Sequence, residues 1–115
     1  MKILVTTDFS PNSKAAIQVA ATMAKQATGV ELIFYSAVEM MQPQAWNLSF
    51  YKKYVLEEKH RLTKELEKFV SAAIGTNKSI LQKSKYIIDF TQETTKAIID
   101  YASKSKCQII CIATN

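Results

Sequence analysis

Four short β-prone runs alternate along the chain with three stretches of helical periodicity, and that alternation limits the fold more than any other feature. Ile3-Leu4-Val5 is a short apolar run, as expected of a strand covered on both faces. A helix is predicted over Pro11 to Ala27, with a small-residue face of Ala15, Ala16, Val19, Ala20, Met23, Ala24 and Ala27. Thr28-Gly29 closes it, since glycine is free to take the left-handed cap. Val30 to Ser36 predicts a second strand, and Ala37 to Asn47, containing Met40, Met41, Pro43 and Trp46, a loop that packs over the sheet edge or meets a partner. A long helix is predicted from Leu48 to Ala73. Its buried stripe is Tyr51, Val55, Leu62, Leu66, Phe69, Val70 and Ala73, with Glu57 and Arg61 paired outside at a four-residue spacing. After a turn at Gly75, a third strand falls within Ile80 to Phe90, centred on Lys85 to Phe90. A third helix starts at Thr91 or Gln92, carries Glu93 in its first turn, and buries Ala97, Ile98, Tyr101 and Ala102. Cys107 to Ala113 is the fourth strand.

The order βαβαβαβ predicts an α/β fold: an open, doubly wound parallel sheet with right-handed crossovers and helices on both faces. With 115 residues, 48% of them hydrophobic, the chain suffices for one domain with one core and is too short for two. There is no internal repeat. No run approaches the roughly 18 apolar residues of a membrane span, and the start does not resemble a signal peptide, so no membrane partner is expected. Cys107 and Cys111 fall in one strand-like run, where they point in opposite or nearly parallel directions and cannot bridge easily, and they lack the further ligands of a metal site. Reduced, buried thiols in a cytoplasmic protein are the expectation. The net charge is +5, but 14 of the 15 basic residues are lysines, scattered singly or in pairs. That pattern fits a solvated surface rather than a nucleic-acid reader, which concentrates its basic residues and uses arginine's fork.

The chemistry-bearing stretch is the elbow between the first strand and first helix. Thr6, Thr7 and Asp8 place hydroxyls and a carboxylate at the strand's end, where open α/β sheets bind ligands. Asp8 either contacts a ligand or bonds local backbone N–H groups. Ser10 before Pro11 is a helix cap rather than a nucleophile, because no base is placed near it. His60, the only histidine, sits among Glu58, Lys59 and Arg61 on a charged helix face, which removes the usual general base. Asp89 is read as a polar residue at a strand end. A phosphorylated receiver domain needs two acidic residues after its first strand, and only Asp8 is there. No catalytic turnover is expected.

Lys2-Ile-Leu-Val-Thr-Thr-Asp-Phe-Ser resembles the opening of the universal stress protein family, with Thr6 in place of that motif's proline. Three later stretches agree in order: Glu31-Leu-Ile-Phe-Tyr-Ser-Ala-Val-Glu, Thr91 to Lys104, and Gln108-Ile-Ile-Cys-Ile-Ala. The resemblance covers nearly the whole chain. It implies strand order 3-2-1-4, the family's fifth strand lying beyond this sequence. It also implies a regulatory, non-catalytic role in the stress response, frequent homodimers, an unidentified regulatory protein partner, and a pocket for ATP or AMP. In that pocket Asp8 matches the aspartate that faces the adenosine and Thr7 is its neighbour. Ala37 matches a position whose backbone pairs with adenine, and Ile112 and Ala113 match the strand end beside the nucleotide. Nucleotide-binding members carry a glycine-rich phosphate loop after the fourth strand. Its first glycine corresponds to Ala113, where positive φ costs roughly 1 kcal/mol or more. The sequence ends at Asn115 before the rest of that loop. The resemblance therefore implies a partial pocket, in a single domain at 1–115 that is a fragment, half of a tandem protein, or completed by a partner. The alternative reading is an interaction module that dimerises without nucleotide.

Overall fold

The computed structural model describes residues 1–39, 46–75, 80 and 83–112. Strands β1 (Lys2–Thr6), β2 (Glu31–Val38), β3 (Lys85–Phe90) and β4 (Ile109–Cys111) alternate with helices α1 (Pro11–Gln26), α2 (Leu48–Ile74) and α3 (Thr94–Lys104). All strand pairs are parallel and the sheet order is β3-β2-β1-β4. The expected α/β architecture and strand order are therefore present.

Period-two alternation sorts the apolar residues of β1 and β2 onto two cores. Ile3, Val5, Leu32 and Phe34 pack with Ile17 and Ala20 of α1 and with Leu66, Val70 and Ala73 of α2. Leu4, Ile33 and Tyr35 face the other way, onto Ala102, Ile98 and Tyr101 of α3. Both strands are thus buried on both sides, which accounts for their unbroken apolar runs.

Several boundaries and faces differ from expectation. Helix α1 ends at Gln26, and its buried face is Ser13, Ile17, Ala20 and Ala21, whereas Ala15 and Val19 are exposed. The rotation follows from the cap: Ser10 Oγ accepts from Ser13 N at 3.3 Å, and the Ser13 side chain turns in beneath Asp8. Gly29 takes the positive φ, +73°, but three residues past the last helical residue. Ala37 lies in β2, paired with Asp89, not in a loop. Ile80 is helical and packs on the α1/α2 core instead of opening a strand.

In α2 the expected stripe is buried or half-buried, but Arg61 pairs with Glu58 at 2.6 Å and Glu65 at 2.7 Å, not with Glu57. Trp46, just before α2, packs edge-on against Phe50 and Tyr54 in the first turns of that helix. Met40, Met41 and Pro43 lie outside the described residues. Helix α3 starts at Thr94, later than expected, so Glu93 is its N-cap residue and makes no side-chain cap bond. Its predicted inner face is the one that is buried or half-buried.

Strand β4 is only three residues long and excludes Cys107. Cys107 and Cys111 are free and half-buried, not fully buried as expected, and they face opposite cores. Burial pushes both thiols above the ordinary range, which suits inert packing groups.

Candidate functional site

The chain steps from β1 to β2 to β3 on one side, then crosses to β4 on the other. Such a reversal leaves a crevice beyond the carboxyl ends of the central strands. A cleft of about 340 Å³ occupies that place. Thr6 ends β1 and Thr7 and Asp8 follow it, Ala37 lies one residue before the end of β2, and Ile110 and Ile112 belong to β4 and its exit. Thr94, Thr95, Ile98 and Ile99 of α3 form the facing wall.

The β1 elbow is built by short-range bonds. Thr7 N donates to Tyr35 O at 2.9 Å, carrying the β1–β2 pairing one residue past the strand. Thr7 Oγ1 accepts from Phe9 N at 3.1 Å, and Phe9 takes φ +64°. For a bulky residue that left-handed conformation costs on the order of 1 kcal/mol. Edge-to-face packing on Phe69, at 5.5 Å between ring centres, holds Phe9 there. Asp8 Oδ1 accepts from Ser10 N at 2.9 Å and from Ser13 Oγ at 2.6 Å, while Ser13 Oγ accepts from Asp8 N at 3.0 Å. The local-bonding role weighed for Asp8 is therefore present, on an exposed residue that also lines the cleft. Ser10 is the cap its sequence position implied.

Thr7, Asp8, Ala37 and Ile112, singled out from separate parts of the sequence, meet in this one cleft. Ala113 lies outside the described residues. Sequence reasoning did not assign the α3 wall to the site, and it started that helix two or three residues early. The usable signal was Thr91, whose Oγ1 accepts from Glu93 N at 3.0 Å in a turn that delays the helix. Ser13 was missed as well. The resulting cleft joins a flat apolar wall, suited to a ring, with hydroxyls and one carboxylate, suited to polar substituents. Among the described residues no His, Cys, Asp and Glu side chains gather as a metal site. No described helix is long and apolar enough to cross a membrane.

A second polar contact ties the sheet together nearby. Buried Tyr35 donates its hydroxyl to Asp89 Oδ2 at 2.7 Å and lies 5.0 Å from the Tyr101 ring. Asp89 is thus a bonded polar residue near the end of its strand. Burial, then the Asp89 hydrogen bond and charge, push the Tyr35 hydroxyl far above its ordinary value. Because the folded chain disfavours the phenolate, this contribution is complete below about pH 10 and drains away above it. Tyr35→Phe is expected to cost about 1–3 kcal/mol in urea unfolding at neutral pH. Above about pH 10 the gap from wild type should narrow as the unfolded wild-type phenol ionises. A gap that stays constant would assign the loss to something other than this bond.

The universal stress protein family model matches residues 1–115. No curated protein sequence matches the chain. Among solved structures, universal stress protein UspA from Lactobacillus plantarum aligns with a TM-score of 0.66 at 21% identity, covering 100% of this chain and 79% of that one. A universal stress protein family member from Burkholderia pseudomallei gives 0.64 at 17%, covering 98% and 80%. A universal stress protein solved in complex with cAMP gives 0.61 at 16%, covering 96% and 73%. These structures share the fold, and the family match runs from the first residue to the last: the chain belongs to the universal stress protein family.

Proposed function

We propose that this chain is a non-catalytic regulator of the stress response whose cleft takes the adenosine end of an adenine nucleotide. One observation carries the reading. Thr7, Asp8, Ala37 and Ile112, which the resemblance nominated as nucleotide contacts, come from the ends of three strands and line one cleft. The related protein in complex with cAMP supports the same ligand class. The nucleoside part fits the residues present. Isoleucine side chains offer a surface for a base, the Ala37 backbone lies at the end of β2, and Asp8 can accept from ribose hydroxyls. A non-catalytic role is supported by the serines of the elbow: Ser10 and Ser13 are engaged in holding the turn. His60 stands exposed on α2, a separate element from those lining the cleft. Half-buried free thiols fit a reducing, cytoplasmic setting. Amide shift mapping with cAMP tests the site. Movement should concentrate at Thr7, Asp8, Ala37, Thr94 and Ile112, and no movement at millimolar ligand overturns the reading.

A second reading, a homodimerising interaction module, is favoured by β4. It stands at the edge of the described sheet, with Ile110 39% and Ile112 56% exposed. Exposed apolar edge strands invite pairing with another chain. Sedimentation should then show a dimer whose population does not change with nucleotide, and a strict monomer rules it out.

A further inference from the structure

Helix α2 runs for 27 residues, about 40 Å at a rise of 1.5 Å each. Its buried residues, Leu66, Val70 and Ala73, all lie in its last third. Leu62 is the first of its side chains to pack on either core, so the stretch from Leu48 to Arg61 stands outside both. Asn47 caps this arm, its Oδ1 accepting from Phe50 N at 2.8 Å. A surface helix is ordinarily polar away from its core face. This one is not: Leu48 is 58%, Phe50 54% and Leu56 69% exposed. At about 100° per residue those three side chains point in different directions. Trp46, the only tryptophan, packs at the same end against Phe50 and Tyr54, with ring centres 5.1 and 5.0 Å away. Lys52 and Lys53 sit among these aromatic residues, and the helix carries no acid before Glu57. From Glu57 to Glu65 acids and bases balance, with Glu58 and Glu65 both bound to Arg61. The excess positive charge of the arm is therefore in its first turns, where the helix dipole adds to it.

We propose that the start of α2 docks on an anionic lipid surface, with Leu48, Phe50 and Leu56 dipping among the acyl chains and Lys52 and Lys53 at the headgroup phosphates. Apolar side chains directed to several sides of a helix end suit a fluid medium that surrounds it. A second helix would cover one seam only. Trp, Tyr and Lys are the residues that settle at headgroup level, the rings by their mixed character and lysine by its long apolar stem. Lysines with no acid beside them complement the negative charge of such a surface. No described helix is long and apolar enough to cross a membrane, but dipping one amphipathic end into its surface requires no span.

Vesicles of phosphatidylcholine, alone or mixed with phosphatidylglycerol, test it, with Trp46 as the built-in probe. The chain should co-sediment with the anionic vesicles, Trp46 emission should shift to the blue, and brominated acyl chains should quench it. Phe50→Ser and Leu56→Gln, at exposed positions outside both cores, should each weaken partition at least about tenfold. Lys52→Gln and Lys53→Gln should each weaken it about fivefold, a difference that added salt removes by screening. No binding to the anionic vesicles overturns the proposal. Binding that leaves Trp46 emission unchanged also overturns it, because the contact is then elsewhere on a chain of net charge +5. A blue shift that follows protein concentration without lipid assigns the arm to a second copy of the chain, and overturns it as well.

Discussion

Phe34→Ala is expected to lower the free energy of unfolding by about 3–5 kcal/mol, measured by urea denaturation followed by circular dichroism. Phe34 is fully buried in β2, between Val5 of β1 and Tyr86 of β3. Its ring stacks on Tyr86 at 5.7 Å with 21° between planes, and its core partners include Leu66 and Val70 from α2. Removing the ring loses its transfer free energy and leaves a space bounded by two neighbouring strands and a helix, none free to collapse into it. For a domain of this size, with total stability of roughly 5–15 kcal/mol, that is a large share. Phe34→Leu keeps most of the volume and should lose much less. A loss below about 1 kcal/mol for Phe34→Ala would mean that this core is loosely packed.

The architecture was legible because parallel strands buried on both faces must be apolar without interruption. Ile3-Leu4-Val5 and Leu32-Ile33-Phe34-Tyr35 are such runs, and each sits in the sheet. Strand order is not contained in such runs and came from resemblance. Local features set by tertiary contacts were harder to read. The third strand was expected to fall within Ile80 to Phe90, yet Ile80 is helical and serves the α1/α2 core. Ala37 ended an apolar run and looked like a loop residue, but pairing with Asp89 carries β2 through it to Val38.

The candidate site divides the same way. Its β1 elbow was visible in Thr6, Thr7, Asp8 and the Ser10-Pro11 cap, because turn chemistry is local. The facing wall was not. Thr94, Thr95, Ile98 and Ile99 reach the cleft only because α3 crosses over the carboxyl ends of β1 and β4, and no spacing within residues 91–104 encodes that approach. Nor could the sequence show that, among the described residues, no basic side chain lines the cleft.

Ile17→Ala should cost about 2–5 kcal/mol in urea unfolding, while Val19→Gln, two residues later, should stay within about 0.5 kcal/mol. A helix turns once in about 3.6 residues, so these side chains point roughly 200° apart and cannot both face the sheet. Alanine spacing alone favours the phase that buries Val19. The folded chain buries Ile17 completely and leaves Val19 57% exposed. Two contacts choose that phase. Ile17 fills the core beside Val5 and Phe34, and Ser13, one turn earlier on the same face, closes its 2.6 Å bond to Asp8. Packing and site geometry therefore depend on one rotation of α1. In Ile17→Ala the amide shifts of Asp8 and Ser13 should move with the loss of stability, and in Val19→Gln they should stay in place. The opposite pattern would put Val19 inside, swing Ser13 away from Asp8, and leave the elbow without the bond that shapes it.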